Sequence, residues 1–99
     1  MLKVNRTVEN EKVEISLEGE LDTVTAPEFE AELREVISGA TSLVLDLEKL
    51  EYISSAGLRV LLIAQKAMNQ QGEMKVVHVN DSIMDIFEVT GFSEILTIE

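Results

Sequence analysis

The sequence predicts a single α/β domain over residues 1–99, with elements in the order β-β-α-β-α-β-α-β and a mixed central sheet packed with amphipathic helices. Three observations predict it. Apolar and polar residues alternate over the first twenty positions, helix-period apolar stripes follow, and a strand–helix–strand run calls for a parallel crossover. Ninety-nine residues, 45% hydrophobic and with one proline, suffice for one core of modest size.

Leu2 and Val4 alternate with Lys3 and Asn5, and Val13, Ile15 and Leu17 with Glu14, Ser16 and Glu18. With "ENEK" between them, these read as a β-hairpin with one buried face. In "TAPEFEAELREVISG", Thr25 stands three residues before Glu28 as in a capping box, and Pro27 fits a first helical turn. Phe29, Leu33, Val36 and Ile37 form one stripe that ends at Gly39, which marks an amphipathic helix. "SLVLDL" packs Leu43, Val44, Leu45 and Leu47 almost without interruption, as a strand covered on both faces does.

A second helix pattern runs from about Ser55 to Gln71 and closes at Gly72. The strand "MKVVHV" follows, with His78 expected as a sheet-face residue, and should lie parallel to the strand before the helix. "DSIMDIFEVTG" carries Ile83, Ile86 and Phe87 on one face and stops at Gly91. "FSEILTIE" is expected as a last short strand or an extended tail.

Composition narrows the function. No cysteine means no disulfide framework, no thiolate metal site and no thiol nucleophile, and the lone His78 cannot make a histidine-rich metal cluster. Nineteen acidic residues against eight basic ones give a net charge of −11, which repels nucleic acid and anionic lipid surfaces. The first twenty residues lack the apolar run of a signal peptide, and nowhere do ~18 apolar residues run together. A soluble, cytoplasmic protein without direct membrane contact is expected, and its charge favours a monomer in isolation.

The chemistry is concentrated in "YISSAGLRVLL", Tyr52 to Leu62. At a strand-to-helix junction, Ser54 or Ser55 suits an N-cap, whose side-chain oxygen takes a free N–H of the first turn. A serine nucleophile fits poorly: the sequence has no G-x-S-x-G elbow, and its one histidine lies on a distant strand. Neither a phosphate-binding glycine loop nor a dinucleotide fingerprint is present, and no enzyme is expected. A hydroxyl at a helix N-terminus also suits phosphorylation, because free N–H groups and the helix dipole favour an anion there. Leu58 and Leu62 fall beside polar neighbours on the helical wheel, and read either as a small exposed docking patch or as part of a more deeply buried helix.

Taken together, "GELD" (Gly19 to Asp22), "LVLDLEKLEYISSAGLRVLL" (Leu43 to Leu62) and "GEMKVVHVNDSIMDIFEVTGFSEILTI" (Gly72 to Ile98) resemble the bacterial anti-sigma factor antagonists, or anti-anti-sigma factors, of the STAS domain family. The resemblance covers essentially the whole chain and implies a single STAS domain. It also implies partner switching. The unphosphorylated antagonist binds an anti-sigma factor that is a serine kinase, the sigma factor is released, phosphorylation of the antagonist ends the complex, and a PP2C-type serine phosphatase restores it.

By position the acceptor is Ser55, with Ser54 as an alternative acceptor standing where the family commonly has aspartate. The implied partner-binding residues are Asp22, Ser54, Ala56, Gly57, Leu58, Arg59 and Leu62. No cofactor or metal of its own is implied, since ATP and its metal ion belong to the kinase. Two other classes stay open. One is a non-phosphorylated STAS accessory subunit of a transporter or signalling complex. The other is a small-anion or nucleotide sensor, against which the scarcity of arginine other than Arg59 counts.

Overall fold

In the computed structural model, which describes residues 1–99, the four strands lie in the order β1-β2-β3-β4. β1 (Leu2–Glu9) and β2 (Lys12–Leu21) form the antiparallel hairpin, in register Val4 opposite Leu17 and Val8 opposite Val13, with Asn10 taking φ +57 at the turn. Asparagine is among the few non-glycine residues that accept this left-handed geometry at low cost. β2 pairs parallel with β3 (Ser42–Ile53), and β3 parallel with β4 (Glu73–Val77). The helices α1 (Ala26–Ile37) and α2 (Ser55–Gln71) make the two crossovers that parallel pairing requires.

Val13, Ile15 and Leu17 of β2, Leu43, Leu45 and Leu47 of β3, and Met74 and Val76 of β4 are buried together with Phe29, Leu33, Leu61 and Met68 from the helices. β3 departs from expectation: Val44 and Asp46 on its other face are only half-buried, so the strand is covered fully on one face. The apolar run of β3 reflects valine's preference for strands as much as burial.

The start of α1 also corrects the sequence reading. Thr25 has helical backbone angles and its side chain caps nothing. Asp22 does that work instead: its Oδ1 accepts the N–H groups of Val24 and Thr25, both at 3.0 Å. The Thr25 hydroxyl accepts the Asp22 N–H at 2.9 Å and shares its one proton between the Glu20 carbonyl at 2.8 Å and Asp22 Oδ1 at 3.2 Å. With the Thr25 N–H already taken by Asp22, Glu28 has no role to play in a capping box.

α3 (Asp81–Thr90) is capped by Asn80, whose Oδ1 accepts the Ile83 N–H at 3.0 Å while its Nδ2 donates to the Leu50 carbonyl at 2.8 Å. It stops at Gly91, with φ +83. Next comes a four-residue helix, α4 (Phe92–Ile95), and then an extended tail. The tail adds one parallel bridge, Ile98 to Val76, through bonds from the Val76 N–H to the Thr97 carbonyl and from the Glu99 N–H to the Val76 carbonyl. No helix is long and apolar enough to cross a membrane.

His78 is not on the sheet face. It lies just past β4 at φ +56, exposed, with Nδ1 3.0 Å from Asp46 Oδ2.

Candidate functional site

Parallel pairing brings the ends of β2 and β3 together, with Glu20 opposite Tyr52 and Leu21 opposite Ile53. The Ser54 N–H extends this ladder by donating to the Leu21 carbonyl at 2.9 Å. Asp22 and Ser54 therefore leave the sheet side by side, one into the turn before α1 and the other into α2. This position, at the carboxyl ends of parallel strands, is where open α/β sheets present their functional groups.

The two serines have different roles. Ser54 has extended backbone angles, its Oγ accepts the Gly57 N–H at 3.4 Å, and its carbonyl accepts the Leu58 N–H at 2.9 Å, so Ser54 is the N-cap. Ser55 is the first helical residue, exposed, and its hydroxyl makes no hydrogen bond. The N–H groups of Ser55 and Ala56, at the first turn, have no acceptor within the helix.

Gly57 is a packing residue. A Cβ there would lie 2.7 Å from Leu21 Cγ and 2.8 Å from Ile53 Cγ1, so the absence of a side chain lets α2 sit directly on the ends of β2 and β3. Ala56 is half-buried beside it. Of the two readings open for Leu58, an exposed patch or a more deeply buried helix, the second holds: Leu58 is only 7% exposed and belongs to the core. The buried side of α2 is made of Gly57, Leu58, Val60, Leu61, Ala64, Gln65 and Met68, and Ile63 and Ala67 are half-exposed. Leu62 stays half-buried on the outer side, and Arg59 is fully on it.

At the neighbouring turn, the N–H of Thr25 holds the Asp22 carboxyl below the usual carboxylate range, aided by the Thr25 hydroxyl and the Val24 N–H against partial desolvation. One oxygen carries these bonds and the other accepts none. Sequence reading missed Val24, which is 77% exposed at the tip of this turn two residues from Asp22. The available signal was an apolar residue inside the polar turn "DTVT".

The histidine is committed to Asp46 and meets neither serine. No three His, Cys, Asp or Glu residues converge as metal ligands would. The surface depressions are lined by other residues, none of them from α2.

A mixed four-stranded sheet whose parallel strands end in a capped helix start with a free serine defines a small α/β domain. The chain belongs to the STAS domain family, whose model matches residues 3–99. It is 32% identical over 97 residues to the anti-sigma-B factor antagonist of Staphylococcus aureus, covering 96% of this chain and 90% of that one. An anti-sigma factor antagonist from Mycobacterium paratuberculosis superposes with a TM-score of 0.89 at 23% identity, over 99% of this chain and 85% of the other. The Bacillus cell fate determinant SpoIIAA, solved in its phosphorylated form, superposes with a TM-score of 0.75 at 20% identity, over 100% of this chain and 91% of the other. The two structures share the fold.

Proposed function

We propose that this chain is an anti-sigma factor antagonist switched at Ser55. The observation that carries the reading is the division of labour at the helix start: Ser54 supplies the cap, and the Ser55 hydroxyl is left exposed and unbonded. The relative in Staphylococcus aureus is an anti-sigma-B factor antagonist, and the structural neighbour SpoIIAA has been solved phosphorylated.

In this account the unmodified chain binds an anti-sigma factor that is also a serine kinase and so frees the sigma factor. The kinase supplies ATP, magnesium and a base. The Ser55 oxygen bonds to the γ-phosphorus, its proton passes to the base, and ADP leaves. The new phosphate meets the free first-turn N–H groups and the positive end of α2, so modification leaves the helix in place. It adds about −1.5 to −2 charges to a chain already at −11. A partner docked over Asp22 and the α2 start is repelled. A PP2C-type phosphatase hydrolyses the ester and restores the hydroxyl. The switch acts in the cytoplasm, and residues 1–99 act as one STAS domain that catalyses nothing itself.

The test is Ser55→Asp. Affinity for the kinase partner should fall about tenfold or more while the circular dichroism spectrum is unchanged, and a variant that binds as tightly as wild type overturns charge repulsion as the mechanism.

A further inference from the structure

Helix α2 contains no acidic residue: it reads SAGLRVLLIAQKAMNQQ in a chain with nineteen acids against eight bases. Its two cations, Arg59 and Lys66, are exposed, and neither meets a carboxylate. The ion pairs of the chain use Arg6, Arg34, Lys75, His78 and the N-terminal amine. At 100° per residue Arg59 and Lys66 point within about 20° of each other, opposite the buried row Gly57, Leu61, Ala64 and Met68. Leu62 and Ile63 flank them, half-exposed.

Ser55 stands four residues before Arg59 on the same exposed side. Residues at this spacing are neighbours on a helix surface, and an anion N-terminal to a cation is the favourable order. A phosphoserine here offers three strong acceptor oxygens, and a guanidinium offers a planar fork of donors that binds phosphate through two parallel bonds. Arg59 has no competing intramolecular partner to leave.

We propose that Arg59 receives the Ser55 phosphate within the same chain, closing onto it across one turn of α2. The proposal rests on the reading of Ser55 as phosphoacceptor and adds a second half to the switch. Phosphorylation then changes the exposed side of α2 twice over, adding an anion at its start and withdrawing the cation one turn along. Lys66, some 10 Å further along the axis, stays out of reach. A carboxylate at position 55 is shorter and carries one charge, so Ser55→Asp reproduces the closure only in part.

The test installs phosphoserine at position 55 by encoded incorporation, so that no kinase is needed, and follows the second phosphate ionisation by phosphorus NMR. Its value, about 6 in ordinary phosphoserine, should lie lower in the wild-type background than in Arg59→Gln by about 0.3 unit or more. Lys66→Gln should match wild type, and Arg59→Lys should recover part of the shift. Equal values in wild type and Arg59→Gln overturn the closure, and so does an equal shift on replacing Lys66, which makes the effect one of net charge. If no kinase modifies the unmodified chain, the phosphoacceptor reading fails by itself, and the titration still decides whether Arg59 holds a phosphate.

Discussion

The backbone N–H of Ser54 donates to the carbonyl of Leu21 at 2.9 Å, one step beyond the last strand pair, Leu21 and Ile53. This bond fixes where β3 ends and therefore which serine caps α2. Ser54 stays extended and turns its hydroxyl to the Gly57 N–H, and Ser55 becomes the first residue of the helix.

Stability should separate the two serines. Ser54→Ala removes the cap and should cost about 1 kcal/mol, whereas Ser55→Ala should stay within about 0.5 kcal/mol of wild type. Urea unfolding of both variants checks this, and an equal cost for Ser55→Ala would reverse the assignment.

Gly57→Ala places a methyl 2.7 Å from Leu21 Cγ and 2.8 Å from Ile53 Cγ1. Overpacking of this sort should destabilise by about 1–3 kcal/mol, through displacement of the α2 start from the strand ends. A variant as stable as wild type would mean that the junction is looser than these distances imply.

Asp22 is held below its usual pKa, first by the Thr25 N–H. A lowered folded value contributes stability that is present above the unfolded value of about 3.9 and is lost as pH falls through the folded one. Asp22→Asn keeps an acceptor for the turn but cannot titrate. Its stability should therefore fall less steeply with acid than that of wild type. Parallel acid slopes in urea unfolding at a series of pH values would remove Asp22 from the account of the turn.

The pair of His78 and Asp46 carries two opposite signs. The hydrogen bond from His78 to Asp46, then the charge of Asp46, raises the His78 pKa, so its contribution is complete below about 6.5 and is lost as pH rises past the folded value. Partial burial pushes Asp46 up, but the Glu48 N–H and His78 outweigh it and hold it low, so its contribution appears above about 3.9 and is lost as pH falls through the folded value. The stability lost in His78→Gln should peak between these limits, and a difference equal at pH 5 and pH 9 would show that the pair does not stabilise the fold.

The element order was legible through α3 because each element carries its own apolar period, and the core needs those residues on one side. What escaped were choices between neighbours. Thr25 satisfies the capping-box pattern, but Asp22 reaches the same N–H from three residues earlier, in a turn that spacing alone does not reveal. Ser54 and Ser55 are equivalent as letters; the strand bond to Leu21, a contact between distant parts of the chain, distinguishes them. A helical wheel leaves Leu58 open between an exposed patch and a buried side; Gly57 lets α2 settle close on the strand ends, and Leu58 enters the core. His78 follows "MKVV" in strand-like alternation, and its left-handed backbone ends the strand one residue earlier. The final segment is rich in apolar residues, but Gly91 starts a short helix turn that leaves room for a single bridge.

With Ser55 as the acceptor and Ser54 as the cap, a phosphate should land on one hydroxyl and not on its neighbour. Intact-protein mass spectrometry with site mapping, on the chain incubated with ATP, magnesium and a lysate of its own source, locates it. The expected result is one addition of about 80 Da on Ser55, absent from Ser55→Ala and retained in Ser54→Ala. An addition that maps to Ser54, or a chain that captures a partner yet stays unmodified, would contradict this assignment.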